Sequence, residues 1–201
     1  PLTLWGESFL VVACYAPGQV SNSKVFRLVS VLGNTSTPAG ESYASMDVEE
    51  VQTIRTQDAR EVDVFHDPWT GDALVLFAFR GTRGSELYRW RTRSRHSFRL
   101  AQLPMLELVQ TVATRQPNRI FSIFKAGTVY VTIAQQEPEH WSLVLRWNGT
   151  QLLGLVDTST LPKDAAGGQI VPSSGGRVLV MWEDKGESWL LAANGFNTSA
   201  L

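Results

Sequence analysis

The sequence has few of the features that indicate a disulfide-braced, membrane-spanning or helical protein. Its 201 residues include one cysteine, Cys14, so the chain cannot carry an internal disulfide framework. Apolar runs are short, and Ala73 to Phe79 has seven residues, whereas about 20 are needed to cross a bilayer as a helix. Since no stretch combines a sustained helical period with capping residues, we expect almost no helix and no membrane insertion.

Charge is also scarce. Charged residues make up 18% of the chain and the formal net charge is −1, so the bulk charge indicates no partner. The 43% of hydrophobic residues predicts a globular chain with a sizeable core. The sequence begins at Pro1 without a signal-like segment, so we expect a processed or excised piece. Three Asn-x-Ser/Thr sequons beside turn-like segments favour a secreted or cell-surface location, with glycans at Asn34, Asn148 and Asn197.

One short pattern recurs along the chain: a serine, any residue, two apolar or aromatic residues, an arginine, then tryptophan or leucine. It occurs at Ser23–Leu28, Ser85–Trp90 and Ser142–Trp147, and a degenerate copy at Ser188–Leu191 is followed by Ala192 instead of arginine. Successive serines are 62, 57 and 46 positions apart. A period of about 50 residues, built of short β-strands, is typical of propeller blades.

Each copy belongs to a longer unit. Val109–Val112 echoes Val51–Ile54 at a spacing of 58, and both contain a Gln-Thr pair. We interpret the unit as a Gln-Thr strand, a second strand, an apolar inner strand and the Ser-Arg strand, which together form a four-stranded antiparallel sheet. The sequence therefore predicts an all-β fold, a β-propeller with about four blades in this chain, and repeats near 1–47, 48–106, 107–156 and 157–201.

These motifs resemble the epilepsy-associated repeat (EAR, EPTP or epitempin repeat). The resemblance rests on Gln52, Thr53 and Phe65, on the run Phe9–Ala13, and on Ser85–Trp90. It implies a secreted or cell-surface protein whose repeats form a seven-bladed propeller that binds other cell-surface proteins. It also implies that a calcium ion can occupy the central channel, but it identifies no ligand residues in this sequence. We expect no other cofactor.

The chain is shorter than a complete seven-bladed ring of that family. Seven blades of about 50 residues would need roughly 350 residues, and the chain has 201. Either this chain is part of a ring that another segment or a second chain completes, or it closes with four blades. Both termini cut a repeat, which favours the first alternative.

A cluster of arginines forms the most strongly charged stretch. Residues 80–99 contain seven arginines and one acid, Glu86. From Arg89 to Arg95, every second residue is an arginine, including Arg91 and Arg93, so an extended strand would place all four on one face. We expect this row either to bind a sulfated glycan or an acidic protein surface, or to be a solvated hairpin. Nucleic acid is not expected, since no recognisable module is present and the rest of the chain is acidic.

The aromatic residues divide into two groups. Four tryptophans at repeat positions are expected in the core between blades: Trp90, Trp147, Trp182 and Trp189. Trp69 and Trp141 fall at a turn or a strand edge, which makes them candidates for partner contact. Cys14 is expected in the first inner strand, beside Val12 and Ala13, and is interpreted as a buried free thiol or as half of an intermolecular disulfide.

Little in the sequence indicates catalysis. His66, Asp67 and Asp72 surround a Pro-Trp-Thr-Gly turn, and turn chemistry explains them as well as a metal or acid–base site does. The first hypothesis is therefore a non-enzymatic extracellular module that binds a receptor or matrix protein. The alternatives are a glycan-binding module and a propeller hydrolase that acts on glycans, although the repeat pattern marks no converging pair of carboxylates.

Overall fold

In the computed structural model the described residues are all-β: fifteen strands form four antiparallel sheets, and none of these residues lies in a helix. The structure describes residues 2–4, 7–17, 19–32, 44–80, 84–90, 105–125, 127–136, 142–154, 167–172, 178–184 and 187–193. The predicted all-β class is confirmed, and three of the sheets have the predicted four antiparallel strands.

Each sheet is a meander in which consecutive strands pair. Sheet 1 consists of β1 (Leu2–Leu4), β2 (Glu7–Val12), β3 (Val20–Leu32) and β4 (Ala44–Gln57). Sheet 2 consists of β5 (Ala59–His66), β6 (Ala73–Phe79), β7 (Ser85–Trp90) and β8 (Leu106–Val112). Sheet 3 consists of β9 (Pro117–Lys125), β10 (Thr128–Gln135), β11 (Leu143–Trp147) and β12 (Leu152–Gly154). Sheet 4 consists of β13 (Gly167–Pro172), β14 (Val178–Asp184) and β15 (Glu187–Ala193).

The Gln-Thr strand occupies a different place from the one the sequence predicted. Gln52 lies in β4, the last strand of sheet 1, and Gln110 lies in β8, the last strand of sheet 2. Sequence repeats and sheets are therefore out of phase by one strand. The reason is that every connection in a meander is a hairpin or short turn, so a periodic sequence can be divided into sheets after any strand.

The first strands of sheets 2, 3 and 4 lie side by side, because β5 contacts β9 and β9 contacts β13. The hydrophobic core lies between the stacked sheets. Every residue of β6 is buried, and its side chains alternate between two clusters. Phe77 points toward sheet 1, whereas Leu74 points toward sheet 3. A central strand buried on both faces explains why this segment is an unbroken apolar run.

The interface between sheets 1 and 2 and the interface between sheets 2 and 3 use equivalent positions. Strand register aligns Phe9, Leu74 and Tyr130, which lie opposite Arg27, Arg89 and Arg146 respectively. In this alignment, sheet 1 contacts sheet 2 through Phe9, Val11, Ala13, Val25 and Ile54, and sheet 2 contacts sheet 3 through Leu74, Leu76, Ala78, Leu87 and Val112. The predicted core role of Trp90 and Trp147 is confirmed, since both are buried against the preceding sheet. The side chains of Trp182 and Trp189 lie outside the described part.

The backbone repeats as well. A bulge opposite β3 leaves Val51 without a register partner, and one opposite β7 does the same for Val109, 58 positions later. Asp58 and Gln116, also 58 apart, have positive φ angles of 52° and 43°. Both residues lie where one sheet leads into the next, so the chain makes the same left-handed step at both junctions.

The sequence also predicts a surface loop over residues 32–46 and a polar segment before a strand at Glu49 and Glu50, and the structure differs from both predictions. β3 extends to Leu32 and β4 begins at Ala44, so strands occupy both ends of the predicted loop, whereas residues 33–43 lie outside the described part. Glu49 and Glu50, expected in a polar segment before a strand, lie within β4. There Glu49 binds Arg27, and Glu50 binds Lys24 and Thr53.

Candidate functional site

The repeated serine forms a buried polar contact at one end of each of the first three sheets. Ser23, Ser85 and Ser142 are fully buried. The Ser23 hydroxyl lies 2.9 Å from the Thr56 hydroxyl, and the Ser85 hydroxyl lies 2.9 Å from that of Thr114. Ser142 accepts a hydrogen bond from the backbone N–H of Gln135. A buried hydroxyl must find a partner, so this serine locks the start of the Ser-Arg strand to its neighbours.

The repeated glutamine joins consecutive sheets. The Gln52 amide donates to the carbonyl of Leu106 at 3.3 Å and accepts from the N–H of Leu106 at 2.8 Å. Gln110 makes the same pair with Leu152, at 3.0 and 2.7 Å. A primary amide presents one donor and one acceptor in the geometry of a peptide group. It therefore extends backbone pairing from the last strand of one sheet to the last strand of the next.

The repeated arginine lies at the opposite end of the sheet. Arg27 bonds Glu49 on β4 and lies 3.4 Å from Glu7. Arg89 lies 3.9 Å from Asp72, the position equivalent to Glu7, and it lies over the ring of Trp147. Its Nη2 also donates to the carbonyl of Gly149 in the β11–β12 turn. Arg89 thus links sheet 2 to sheet 3 and is largely engaged in the scaffold.

Trp69 is the exposed aromatic residue beside this arginine. It is 59% exposed, on the turn between β5 and β6. Its backbone N–H donates to the buried carboxylate of Asp67 at 2.9 Å, which fixes the turn. A methyl group added at Gly149 would lie 3.4 Å from the Trp69 ring, so the ring rests against the turn of sheet 3. We name Trp69 together with Asn148, Gly149 and Thr150 the Trp69 surface.

The sequon at Asn148 forms part of this surface. Asn148 is exposed, and its Oδ1 accepts hydrogen bonds from the N–H and hydroxyl of Thr150 and from the N–H of Gln151. Gly149 has a φ of +96°, which favours glycine. The turn therefore holds the asparagine side chain at the surface, in a position accessible to solvent.

The His66, Asp67 and Asp72 group is a turn. Asp67 bonds the N–H groups of Trp69 and Thr70, its own N–H donates to the carbonyl of Asp72, and a ring nitrogen of His66 lies 3.4 Å from the carbonyl of Gly71. In the part of the chain that the structure describes, no three His, Cys, Asp or Glu residues are grouped so that they could hold a metal ion.

The alternation of Glu61 and Asp63 with Val62 and Val64 predicts that the two carboxylates lie on a solvent-exposed face of the strand, but both contact the next sheet. The Glu61 carboxylate accepts from the backbone N–H of Ile120 on β9, and Asp63 bonds Ser122 of the same strand. Burial raises the pKa of both carboxyls, and the bonds to β9 only partly oppose this rise. These side chains hold the first strands of sheets 2 and 3 together.

Cys14 differs from the buried thiol that the sequence predicted. It lies two residues beyond the end of β2 and is partly exposed, with no disulfide partner in the described residues. Its backbone N–H donates to Ser23 and its carbonyl accepts from Ser21. These contacts hold the backbone of Cys14 in place. Its side chain is only partly covered, because the chain leaves the sheet after Val12.

Of the residues predicted to bind a partner or carry a glycan, Trp69 and Asn148 are brought together. The others lie outside the described residues: Arg91, Arg93, Arg95, Trp141, Asn34 and Asn197. Sequence reasoning missed Thr56 and Thr114. Their shared spacing of 58 residues, four positions after each glutamine, was the signal that could have identified them.

Comparison of the sequence with protein-family models gives no match, and comparison with curated proteins gives no significant match. Among the described residues, no helix is long and apolar enough to cross a membrane.

Proposed function

We propose that this chain is a non-catalytic binding module of propeller blades, exposed outside the cell, which presents the Trp69 surface to a cell-surface or matrix protein. The observation that carries the proposal is the exposure of the Trp69 side chain on a fixed turn. A large aromatic side chain is exposed on a turn fixed by Asp67 and by the neighbouring sheet. Rigid, exposed aromatic residues contribute much of the binding energy in protein interfaces.

The roles of the other repeated side chains support this proposal. The repeated serine, glutamine and arginine side chains are engaged in hydrogen bonds within or between sheets, as Ser85, Gln110 and Arg89 illustrate. The scaffold thus uses its own polar groups for rigidity. A rigid surface loses little conformational entropy when it binds a partner.

The propeller is proposed because the sheets pack head to tail. The face of sheet 2 that covers sheet 3 is equivalent to the face of sheet 1 that covers sheet 2. A repeated head-to-tail contact produces a ring if the rotation closes. The opposite face of sheet 1 would then pack against a further blade, which another segment of a longer protein or a second chain would contribute.

The binding proposal is tested with labelled protein on intact cells. We expect saturable binding that protease treatment of the cells removes, and a loss of affinity of about tenfold or more for Trp69→Ala, since such anchors are worth at least 1.4 kcal/mol. Phe124→Ala is the matched control, because Phe124 is 64% exposed on sheet 3. Unsaturable binding, or equal affinity for both variants, would contradict the proposal.

The predicted glycan at Asn148 is tested separately by expressing the chain behind a secretion signal. A glycan at Asn148 would give a mass shift that glycosidase treatment and Asn148→Gln both remove. Absence of that shift in secreted protein would argue against a glycan on this turn.

A further inference from the structure

A second exposed aromatic residue lies at the other end of the sheets, where β4 leads into β5. Tyr15 follows β2 and is 43% exposed. Two arginines from sheet 2 contact it: Arg60 near the start of β5 and Arg80 just after the end of β6. The three residues come from separate parts of the chain and meet at the boundary between sheets 1 and 2.

Both arginines are held by the tyrosine. The Nη1 of Arg80 donates to the Tyr15 hydroxyl at 3.2 Å, and its backbone N–H donates to the carbonyl of Asp58 at 3.0 Å. The guanidinium carbon of Arg60 lies 5.6 Å from the centre of the Tyr15 ring, within the range of a cation–π contact. Two guanidinium groups are thus positioned around one side chain.

Within the described residues, these two charges are compensated only in part, by a longer-range attraction between Arg60 and Glu61 without an ion pair. Both arginines are exposed, and neither has an ion-pair partner among the described residues. The nearest acid along the chain, Glu61, uses its carboxylate to accept from the N–H of Ile120 and lies 3.9 Å from Arg119. Since like charges repel, an anion placed between the two guanidinium groups would lower their energy.

Other exposed charges described at this end of sheets 1 to 3 are also positive. Three further arginines are exposed among the residues whose side chains are described: Arg55, Arg115 and Arg119. The acids described here, Asp58, Glu61 and Glu86, are partly or fully buried, and Glu86 accepts a hydrogen bond from Tyr88. A positive surface with several spaced cations suits a polymer that carries repeated anions.

We propose that Tyr15, Arg60 and Arg80 bind a sulfate group of a sulfated glycan. Planar guanidinium groups match the oxygens of a tetrahedral anion and form charge-assisted hydrogen bonds with them. The Tyr15 hydroxyl fixes Arg80, so less side-chain entropy is lost on binding. This site is independent of the Trp69 surface and of any protein partner there.

The test uses heparin oligosaccharides and the whole chain in a titration at several salt concentrations. We expect the double variant Arg60→Ala/Arg80→Ala to lose affinity by about tenfold or more, since each arginine contributes charge-assisted bonds. Arg115→Ala/Arg119→Ala is the matched control, because it removes two exposed positive charges from the same end. Tyr15→Phe, which lacks the hydroxyl that orients Arg80, should weaken binding by a smaller factor.

Selective loss in the Arg60/Arg80 variant, with folding verified by unfolding curves, supports the site. Equal losses in the two double variants would overturn it, because binding would then follow net charge alone. Binding to desulfated oligosaccharide with equal affinity, or preference for an acidic peptide, would also overturn it. Trp69→Ala should bind the oligosaccharide normally, which separates this outcome from failure of the proposed protein interaction.

Discussion

Sheets 1 and 2 have the same backbone plan but different surroundings. Val75, Phe77, Tyr88, Trp90 and Leu106 of sheet 2 are all buried under sheet 1. The equivalent residues of sheet 1 are only half-buried or exposed: Leu10, Val12, Phe26, Leu28 and Val48. Apolar side chains are thus retained at these positions of sheet 1, although in this chain no described sheet covers them. The comparison indicates that the repeat specifies a stacking surface on every sheet, whether or not that sheet is covered here.

The difference in burial between the two sheets is tested most strongly by truncating one aromatic residue on each sheet. Phe77 is fully buried, so we expect Phe77→Ala to lower the free energy of unfolding by about 3–5 kcal/mol. Phe26→Ala on the open face of sheet 1 should cost much less, about 1 kcal/mol. Urea unfolding measures both. Equal losses would mean that the outer face of sheet 1 is covered in solution.

The glutamine contacts test whether the two interfaces are equivalent in energy. Gln110→Ala removes two hydrogen bonds to the backbone of Leu152, and we expect a loss of about 1–3 kcal/mol. Gln52→Ala should cost nearly the same, because it removes the same pair from Leu106. Gln19→Ala, at an exposed position, is the control for loss of an amide. A large cost for only one of the two glutamines would contradict the repeat.

Removing the repeated arginine should reveal a smaller difference in unfolding free energy between sheets 1 and 2. Arg27 bonds exposed carboxylates, so Arg27→Ala should cost about 0.5 kcal/mol and less in high salt. Arg89→Ala also removes the bond to Gly149 of sheet 3, and we expect it to cost about 1 kcal/mol more. Thermal unfolding at low and high salt measures the difference. A cost for Arg27→Ala above that of Arg89→Ala would contradict this account.

The smallest expected effect is a change in pH dependence at the interface between sheets 2 and 3. The folded-state pKa values of Glu61 and Asp63 are raised by burial, so the folded protein binds more protons than the unfolded chain. These groups therefore favour folding most at low pH, and that stability is lost as the pH rises from about 4 through the raised pKa values. We expect Glu61→Gln/Asp63→Asn to flatten this decline.

Unfolding curves between about pH 4 and pH 7 would measure it. Glu50→Gln is the control, because the bond from Lys24 lowers the pKa of that carboxyl, so its effect on stability has the opposite sign and falls mainly below about pH 4; this variant should leave the decline above that pH unchanged. An unchanged slope in the Glu61/Asp63 variant would show that the two carboxyls are not buried against β9.

Much of the fold could be predicted from repeated residues, because Ser85, Arg89 and Gln110 each fill a position that the sheet geometry requires. The strand that closes each sheet could not be assigned, since Gln52 is bonded both within its own sheet and to the next one. Asp63 was wrongly placed on a wet face. Alternation with Val64 shows that the two side chains point to opposite faces, but it does not show what covers each face.

The candidate site could be predicted only in part. The position of Trp69 in a turn indicated exposure, and the sequon indicated a surface turn at Asn148. Their contact depends on how sheet 2 stacks on sheet 3, for which the sequence has no local signal. The same holds for Tyr15 and Arg80, which are 65 residues apart and meet only because sheets 1 and 2 are neighbours.

The account depends most on the claim that Val48 and Leu106 are equivalent positions, one open and one covered. They are 50% and 2% exposed. The most direct test introduces cysteine at each position in a Cys14→Ser background and measures the rate of reaction with a thiol reagent. We expect Val48→Cys to react at least about 100-fold faster, because Leu106→Cys must first open the interface. Equal rates would contradict the claim.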